Sequence, residues 1–239
     1  MSWASRRRTT YLTGVILFFV VVVGGPIAYV YFSIPATCTD GSQNQGETGV
    51  DKGGPCPILD EWSLQPHAVL WARSFRVRDG SYNAAAYIQN PNRNAGVLQA
   101  RYHFGLYDAQ NILVAERDGI AYIMPSGITP IIESRINTGN RIVARTYFEF
   151  TGPLTWERLA NAADPIRINN KKIVDPSNAP RLVAEAQNTS VSDITNVSFS
   201  AVVFDPSGNA FAVSATAVSR LKAGETIPLT FTWPDAFDT

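Results

Sequence analysis

Two patterns of apolar and polar residues divide the chain. Residues 11–32 pass without a single charge. From residue 63 onward the sequence changes to short runs in which apolar and polar side chains alternate with period two. The first pattern predicts a helix. At ~1.5 Å per residue it reaches ~33 Å, enough for a ~30 Å hydrocarbon layer. Gly24-Gly25-Pro26 interrupts it, which a membrane helix tolerates because neighbouring groups re-satisfy its backbone. Tyr11 at one end and Tyr29 and Tyr31 at the other suit interfacial positions. Arg6, Arg7 and Arg8 lie before the run, and the first cation after it is Lys52. The positive-inside bias then places residues 1–10 as a cytoplasmic basic tail and everything after residue 32 outside the membrane. A cleaved signal peptide would have a shorter apolar core and a small-x-small exit. Residues Ile34-Pro35-Ala36-Thr37 approach Cys38 poorly for a lipoprotein signal. A single-pass, uncleaved anchor in the cell membrane is the favoured reading.

The second pattern predicts strands. Residues 69–77 read as one, followed by a turn at Arg78-Asp79-Gly80. Tyr82, Ala84, Ala86 and Ile88 alternate inward until Asn90-Pro91-Asn92 breaks the run. Leu98, Ala100, Tyr102, Phe104 and Leu106 then share one face, with Gln99, Arg101, His103 and Tyr107 on the other. This stretch recurs. Shifted by 97 residues, Asp108 falls on Asp205, Gly127 on Gly224 and Thr129 on Thr226, while Gln89-Asn90 falls on Gln187-Asn188 with one residue more. The second copy keeps the parity, with Val197, Phe199, Ala201 and Val203 inward, as a half-buried strand requires. Each copy turns at a polar cluster, 108–111 or 205–209, and returns over 112–123 or 210–221. Further strands are expected at 129–136, 141–150 and 226–232. The fold class is mainly β: two tandem immunoglobulin-like β-sandwich domains, 63–157 and 158–239, after one transmembrane helix. A single helical turn over 157–164 is expected to bridge them, too short for free tumbling.

Phe104-Gly105-Leu106-Tyr107-Asp108 spells F-x-L-Y-D. The first copy thereby resembles the FxLYD-type domain, a β-sandwich of membrane-anchored prokaryotic envelope proteins. The second copy, Ala201-Val202-Val203-Phe204-Asp205, keeps the alternation and the Asp but lacks the Phe and Tyr. The resemblance implies a bacterial cell-envelope setting and brings no catalytic residues.

Residues 33–62 form a polar connector with too few apolar residues to fold by burial. Cys38 and Cys56 are the only cysteines and bracket its glycine-rich loop. Outside the membrane a disulfide between them is expected, and closing a loop of this length is worth ~3 kcal/mol in the chain-entropy model. The loop also resembles the Cys-rich stalk repeat of bacterial surface proteins. Cys38, Asp40, Gly41, Asn44, Glu47, Asp51, Gly53, Gly54 and Cys56 match its C-x-D-G-x-x-N-x-x-E-x-x-x-D-x-G-G-x-C spacing, and Lys52 stands where an inner cysteine is usual. Asp40, Ser42, Asn44, Thr48 and Asp51 occupy positions 1, 3, 5, 9 and 12 of a calcium-loop register. Gln45 replaces the usual glycine of that register, and the same residues also form ordinary turns. Calcium is thus a candidate cofactor of the connector, and no other cofactor is expected.

Formal net charge is zero, which argues against nucleic-acid binding by the whole chain. Within 63–157 every cation is Arg, a bias that suits carboxylate or phosphate contacts but also an ordinary solvated surface. His67 and His103 are the only histidines, and neither has a partner at zinc-ligand or triad spacing. A His103–Asp108 acid/base pair fails because residues five apart on a strand face opposite ways. No phosphate-cradling glycine loop or nucleophile elbow is present. The sequons at Asn188 and Asn196 read as turn or strand-entry residues. The expected function is non-catalytic: a membrane-anchored protein displaying two sandwich domains for a protein partner or for self-association. Arg101, His103, Tyr107 and Phe204 are the candidate contact residues on the outward faces. The competing reading is an accessory subunit of an envelope secretion, pilus or transport complex, whose helix also packs on partner helices.

Overall fold

A computed structural model describes residues 3–33, 37–159 and 165–237. The chain divides into two compact units, Met1–Cys56 and Pro57–Thr239. It is mainly β, with antiparallel sheets packed as sandwiches after one N-terminal apolar helix.

In the first unit, helix α1 (Trp3–Phe19) runs through a π-helical turn (Val20–Gly24) into helix α2 (Gly25–Ser33). The wide turn lies where Pro26 demands it. A proline ring crowds the carbonyl four residues back, and loosening the preceding turn relieves that clash. Gly24-Gly25-Pro26 therefore widens the helix and does not end it. The segment Arg7–Val30 is long and apolar enough to cross a membrane.

The second unit holds two sandwiches. In the first, β1 (Ala68–Arg78), β2 (Ser81–Asn90) and β5 (Gly127–Asn137) form one sheet in the order β1-β2-β5. Its partner sheet has the order β4-β3-β6, from β3 (Ala95–Tyr107), β4 (Leu113–Ile123) and β6 (Arg145–Phe150). The two-residue β7 (Glu157–Arg158) pairs with the start of β3. In the second sandwich, β8 (Ile166–Val174), β9 (Arg181–Asn188) and β12 (Thr226–Thr232) face the hairpin of β10 (Ile194–Phe204) and β11 (Ala210–Leu221). Buried apolar side chains segregate accordingly. One cluster gathers Tyr82, Ala84, Ile88, Phe104, Leu106 and Phe148, and another Ala186, Val197, Phe199, Leu229, Phe231 and Trp233. Tyr102 lies inward with Phe104, its ring over Gly119, where even a Cβ would stand 2.3 Å from its hydroxyl. That hydroxyl donates to Glu133 Oε1 across the sandwich at 2.7 Å.

The hairpins β3–β4 and β10–β11 share one register. Tyr102 opposes Gly119 as Phe199 opposes Thr216, and the irregularity at Leu106/Tyr107 returns at Val203/Phe204. Beyond the hairpin the spacing grows by one residue. Asn90 pairs with Gly127, but Asn188 pairs through its N–H with the carbonyl of Glu225. Gly127 thus corresponds to Glu225 and not to Gly224, and Thr129 corresponds to Ile227. Gly224, at φ +71°, instead takes the left-handed turn position that Ser126 holds at φ 51°. Two further expectations are corrected. Leu98 points to solvent, because an irregularity between Val97 and Ala100 shifts the parity and buries Val97 in its place. Glu157 and Arg158 are extended and paired with Gly96 and Ala95, so no helical turn begins there. The rest of that expected turn, 160–164, lies outside the described residues.

One buried amide closes the end of each sandwich. Asn90 Nδ2 donates to the carbonyls of Ala95 (2.7 Å) and Met124 (2.8 Å), and its Oδ1 accepts from Asn92 N–H. Asn188, fully buried, donates to the carbonyls of Ser192, Leu221 and Lys222, and its Oδ1 accepts from Ser190 N–H. Each side chain therefore satisfies the carbonyls where the chain passes from one sheet to the other. Its amide nitrogen is consumed, so the Asn188 sequon offers no acceptor in the folded chain. Replacing Asn188 by Ala leaves buried carbonyls without a donor, a loss of about 1–3 kcal/mol. The expected outcome is a lower urea midpoint for Asn188→Ala with an unchanged denaturant slope.

Candidate interaction surfaces and the connector loop

The connector loop is held by its own polar groups. The Cys38–Cys56 disulfide is formed, with Cα atoms 5.5 Å apart. Asp51 accepts from the backbone N–H groups of Asp40 and Gly41 at 3.0 Å each. Asp40 accepts from Ser42 N–H, Thr37 Oγ1 and Asn44 Nδ2. The Thr37 hydroxyl, followed by Asn44 and Ser42, holds the Asp40 carboxyl below the usual carboxylate range. Buried Glu47 accepts from the N–H groups of Asn44 and Asp51 and lies 3.1 Å from Cys56 Sγ. Of the calcium-register residues, the structure thus brings Asp40, Ser42, Asn44 and Asp51 into one hydrogen-bonded loop. In this structure their carboxylate oxygens receive protein donors. Cys38, Glu47 and Cys56 also converge, but both sulfurs are tied in the disulfide and neither is a thiolate.

Two glycines let this loop close. A Cβ on Gly53 would lie 2.0 Å from Thr48 Oγ1, and one on Gly54 would lie 2.2 Å from the Gly46 carbonyl. Both have positive φ, so a side chain is opposed by crowding and by backbone strain together. Gly54→Ala is expected to break the loop open. Alkylation before and after reduction should then show a smaller oxidised fraction than in the parent chain, and protease should cut within residues 39–55.

Residues 57–64, whose first part the sequence assigns to the connector, lie in the sandwich unit. Leu59 N–H donates to the Trp156 carbonyl, and Leu59 and Leu64 pack on a cluster around Trp156, Val97 and Ile123. Beside them is an open pocket of about 420 Å³ lined by Glu61, Pro66, His67, Phe150, Pro153 and Trp156. The His67 ring sits 5.5 Å from Phe150 and 5.8 Å from Trp156, centroid to centroid. Burial there lowers its pKa, partly offset by the Glu61 carboxylate. No spacing rule flags this pocket, because its walls come from segments some ninety residues apart. Its one sequence signal is the aromatic and proline content of those segments.

The expected contact residues are placed unequally. Arg101 is exposed on β3. His103 lies opposite Asp118 on β4, with Nδ1 2.8 Å from Oδ1. Tyr107 is half-buried, and its ring covers Gly105. Phe204 meets the first sandwich, its ring centroid 5.9 Å from Tyr87, which in turn stacks on Trp71. That contact belongs to a seam between the two sandwiches. Asn83 Nδ2 and Trp233 Nε1 both donate to the Val213 carbonyl at 3.1 Å, and Ala85 is fully buried on the same strand as Asn83. Arg101, His103 and Tyr107 thus share the β4-β3-β6 sheet, and Phe204 lies elsewhere.

Asp108 pairs with Arg141 and not with His103. Its Oδ1 accepts from the N–H groups of Gln110 and Ile112, and Asp205 accepts likewise from Asn209. The Ile112 N–H, followed by Arg141, depresses the Asp108 pKa. The Asn209 N–H does the same for Asp205. A carboxylate with a depressed folded pKa contributes stability above its unfolded pKa of about 3.9, lost as pH falls through the folded value. The contribution of these two carboxylates should therefore be flat near neutrality and fall below about pH 4. Asp205→Asn should be less stable than the parent at pH 7, and the two should converge in acid when thermal melts are compared across pH.

No protein-family model matches the chain, and no curated protein matches it.

Proposed function

We propose that this is a non-catalytic, single-pass membrane protein of a bacterial cell envelope. Its N-terminus is cytoplasmic, and two tandem immunoglobulin-like domains of the FxLYD type lie outside the membrane, where they engage a protein partner or another copy. The observation that carries this reading is the helical segment Arg7–Val30, which is wholly unburied. Val15, Ile16, Leu17, Phe18, Phe19 and Val20–Val23 all expose large apolar surface. A surface of that extent needs a hydrocarbon surround, since soluble monomers rarely leave so large an apolar patch in water. The arginines at one end of the segment support the inward N-terminus. The disulfide supports an oxidising compartment for the residues beyond the helix. The F-x-L-Y-D residues support a structural reading of the resemblance: Phe104 and Leu106 are fully buried, and Asp108 closes a turn.

Addition of protease to sealed right-side-out vesicles tests the topology. The sandwich domains should be digested without lysis. Protection until the vesicles are opened would overturn the proposal. Exchanging residues 11–32 for an unrelated apolar helix separates tethering from lateral packing on partner helices, because only tethering survives the exchange.

A further inference from the structure

We propose that the free edge of β10 pairs with β10 of a second copy of this chain, forming one continuous sheet across a two-fold axis. This inference goes beyond the display role and concerns an edge that the proposed topology does not require.

The first sandwich shows what the edge is built for. There β3 is a middle strand, with β4 on one side and β6 on the other. Tyr102 to Tyr107 oppose Phe150 to Arg145, and the carbonyls of Arg101 and Tyr107 accept from Thr151 and Ala144. Odd-numbered residues of β3 therefore direct their N–H and C=O groups toward β6. In the second sandwich β10 has β11 in the same register, but among the described residues no strand occupies the β6 side. The corresponding outward groups belong to Ser198, Ser200, Val202 and Phe204. The inward residues on that edge are also less enclosed. Phe104 and Leu106 are fully buried in the first sandwich, whereas the smaller Ala201 and Val203 replace them here and Val203 is only partly buried.

Charge distribution identifies the occupant. Unpaired strand edges invite other strands, and proteins block them with charge or proline. Every other long edge strand among the described residues carries charge or proline along its edge or has that edge taken up by another part of the fold. Strand β1 carries Arg73, Arg76 and Arg78, and β4 carries Glu116, Arg117 and Asp118. Strand β5 has Pro130, Glu133 and Arg135, β6 has Arg145 and Glu149, and β8 has Arg167, Lys171 and Lys172. The outward Val213 carbonyl of β11 is taken by Asn83 and Trp233 and the strand ends in Arg220, while β12 contains Pro228. β10 has neither a charge nor a proline.

An uncharged edge meets no like-charge repulsion from its own copy. Antiparallel self-pairing about Ala201 also matches hydrogen-bonding residues with one another, Ser198 with Phe204 and Ser200 with Val202. Side-chain parity is kept, so Phe199 of one copy falls beside Val203 of the other on the core side. A second β10 thus satisfies the edge and continues the apolar layer at once.

The test uses the full-length chain in detergent micelles. Light scattering is expected to show a dimer. Ser200→Pro removes an N–H that faces the free edge and not β11, and edge strands tolerate proline. It should weaken the dimer by roughly tenfold or more, because two donors are lost per pair, while circular dichroism and the melting temperature of the fold stay near those of the parent. The cross-link keeps the test decisive even where the proline variant unfolds. Mixing Ser200→Cys and Val202→Cys chains should give a mixed disulfide in excess of either chain alone, since directly opposed hydrogen-bonded residues have Cα atoms ~5.5 Å apart. A monomeric chain, a dimer indifferent to Ser200→Pro in a folded variant, or no excess of the mixed disulfide would each overturn the proposal. Dimerisation through the apolar helix alone gives the second of these results. Failure of the outside topology in the protease experiment leaves this one untouched, because strand pairing is read in micelles.

Discussion

The sandwiches depend on how their backbone carbonyls are satisfied where the chain leaves one sheet for the other. At those corners the ladder stops, and carbonyl groups would be buried without donors at a cost of about 1–3 kcal/mol each. Asn90 and Asn188 supply the donors from the ends of β2 and β9. A side-chain amide suits this place because it donates twice and accepts on its oxygen. Asp would place a charge among carbonyl oxygens, and Leu would fill the space without bonding anything. Once the corner is fixed, the next strand can start only in one register. That register brings Val97, Tyr102 and Phe104 inward on β3, and Val197 and Phe199 inward on β10.

The seam between the sandwiches follows from β2. This strand is buried on both faces from Tyr82 to Ala86, which a strand with one solvated face never is. Ala84 and Ala86 face the core of the first sandwich, and the small Ala85 on the opposite face lets the second sandwich approach closely. The Val213 carbonyl then collects two N–H donors, from Asn83 in the first sandwich and Trp233 in the second. The Asn83 bond crosses the seam and is lost if the sandwiches separate, leaving a buried amide without its acceptor, so the seam resists bending more than a polar linker would. The aromatic contact of Trp71, Tyr87 and Phe204 extends it toward the surface.

Much of this architecture was legible because period-two alternation reports burial directly. Tyr82, Ala84, Ala86 and Ile88 were readable as inward, and so were Phe199 and Ala201. The Cys38–Cys56 bridge was readable from cysteine placement. Other features were hidden for identifiable reasons. Strand β8 reads Ile166-Arg167-Ile168-Asn169-Asn170-Lys171-Lys172-Ile173-Val174, and a register shift between Asn169 and Lys172 breaks its alternation. Asn170 sits there at φ 54°, a conformation that no polarity pattern announces. Leu98 misled for the same reason. The one-residue lengthening before Glu225 was masked by a glycine at 224 that matches Gly127 in type but not in place. The seam was invisible because Ala85 and Asn83 look like ordinary outward residues until a second body covers them. Of the expected contact residues, Arg101 is exposed on β3, and Phe204 lies against Tyr87 in the seam, a contact that its place at the end of an alternating run did not announce.

The arginine bias of the first sandwich also acquires a structural meaning. Arg73, Arg76 and Arg78 lie on β1, Arg117 on β4, Arg135 on β5 and Arg145 on β6, all edge strands. A guanidinium on an edge both repels a second copy and keeps its donors solvated. Carboxylate or phosphate binding is not needed to account for such a distribution. The second sandwich applies the same rule at β8 with Arg167, Lys171 and Lys172, and at β12 with Pro228. Against that background the composition of β10 is informative, because its serines, alanine and valines would be the wrong residues for an edge meant to stay alone. Protection elsewhere also narrows the geometry of any association. With the other edges blocked, two copies have one compatible ladder to share, and a shared ladder about a two-fold axis closes at two chains instead of growing into a fibre.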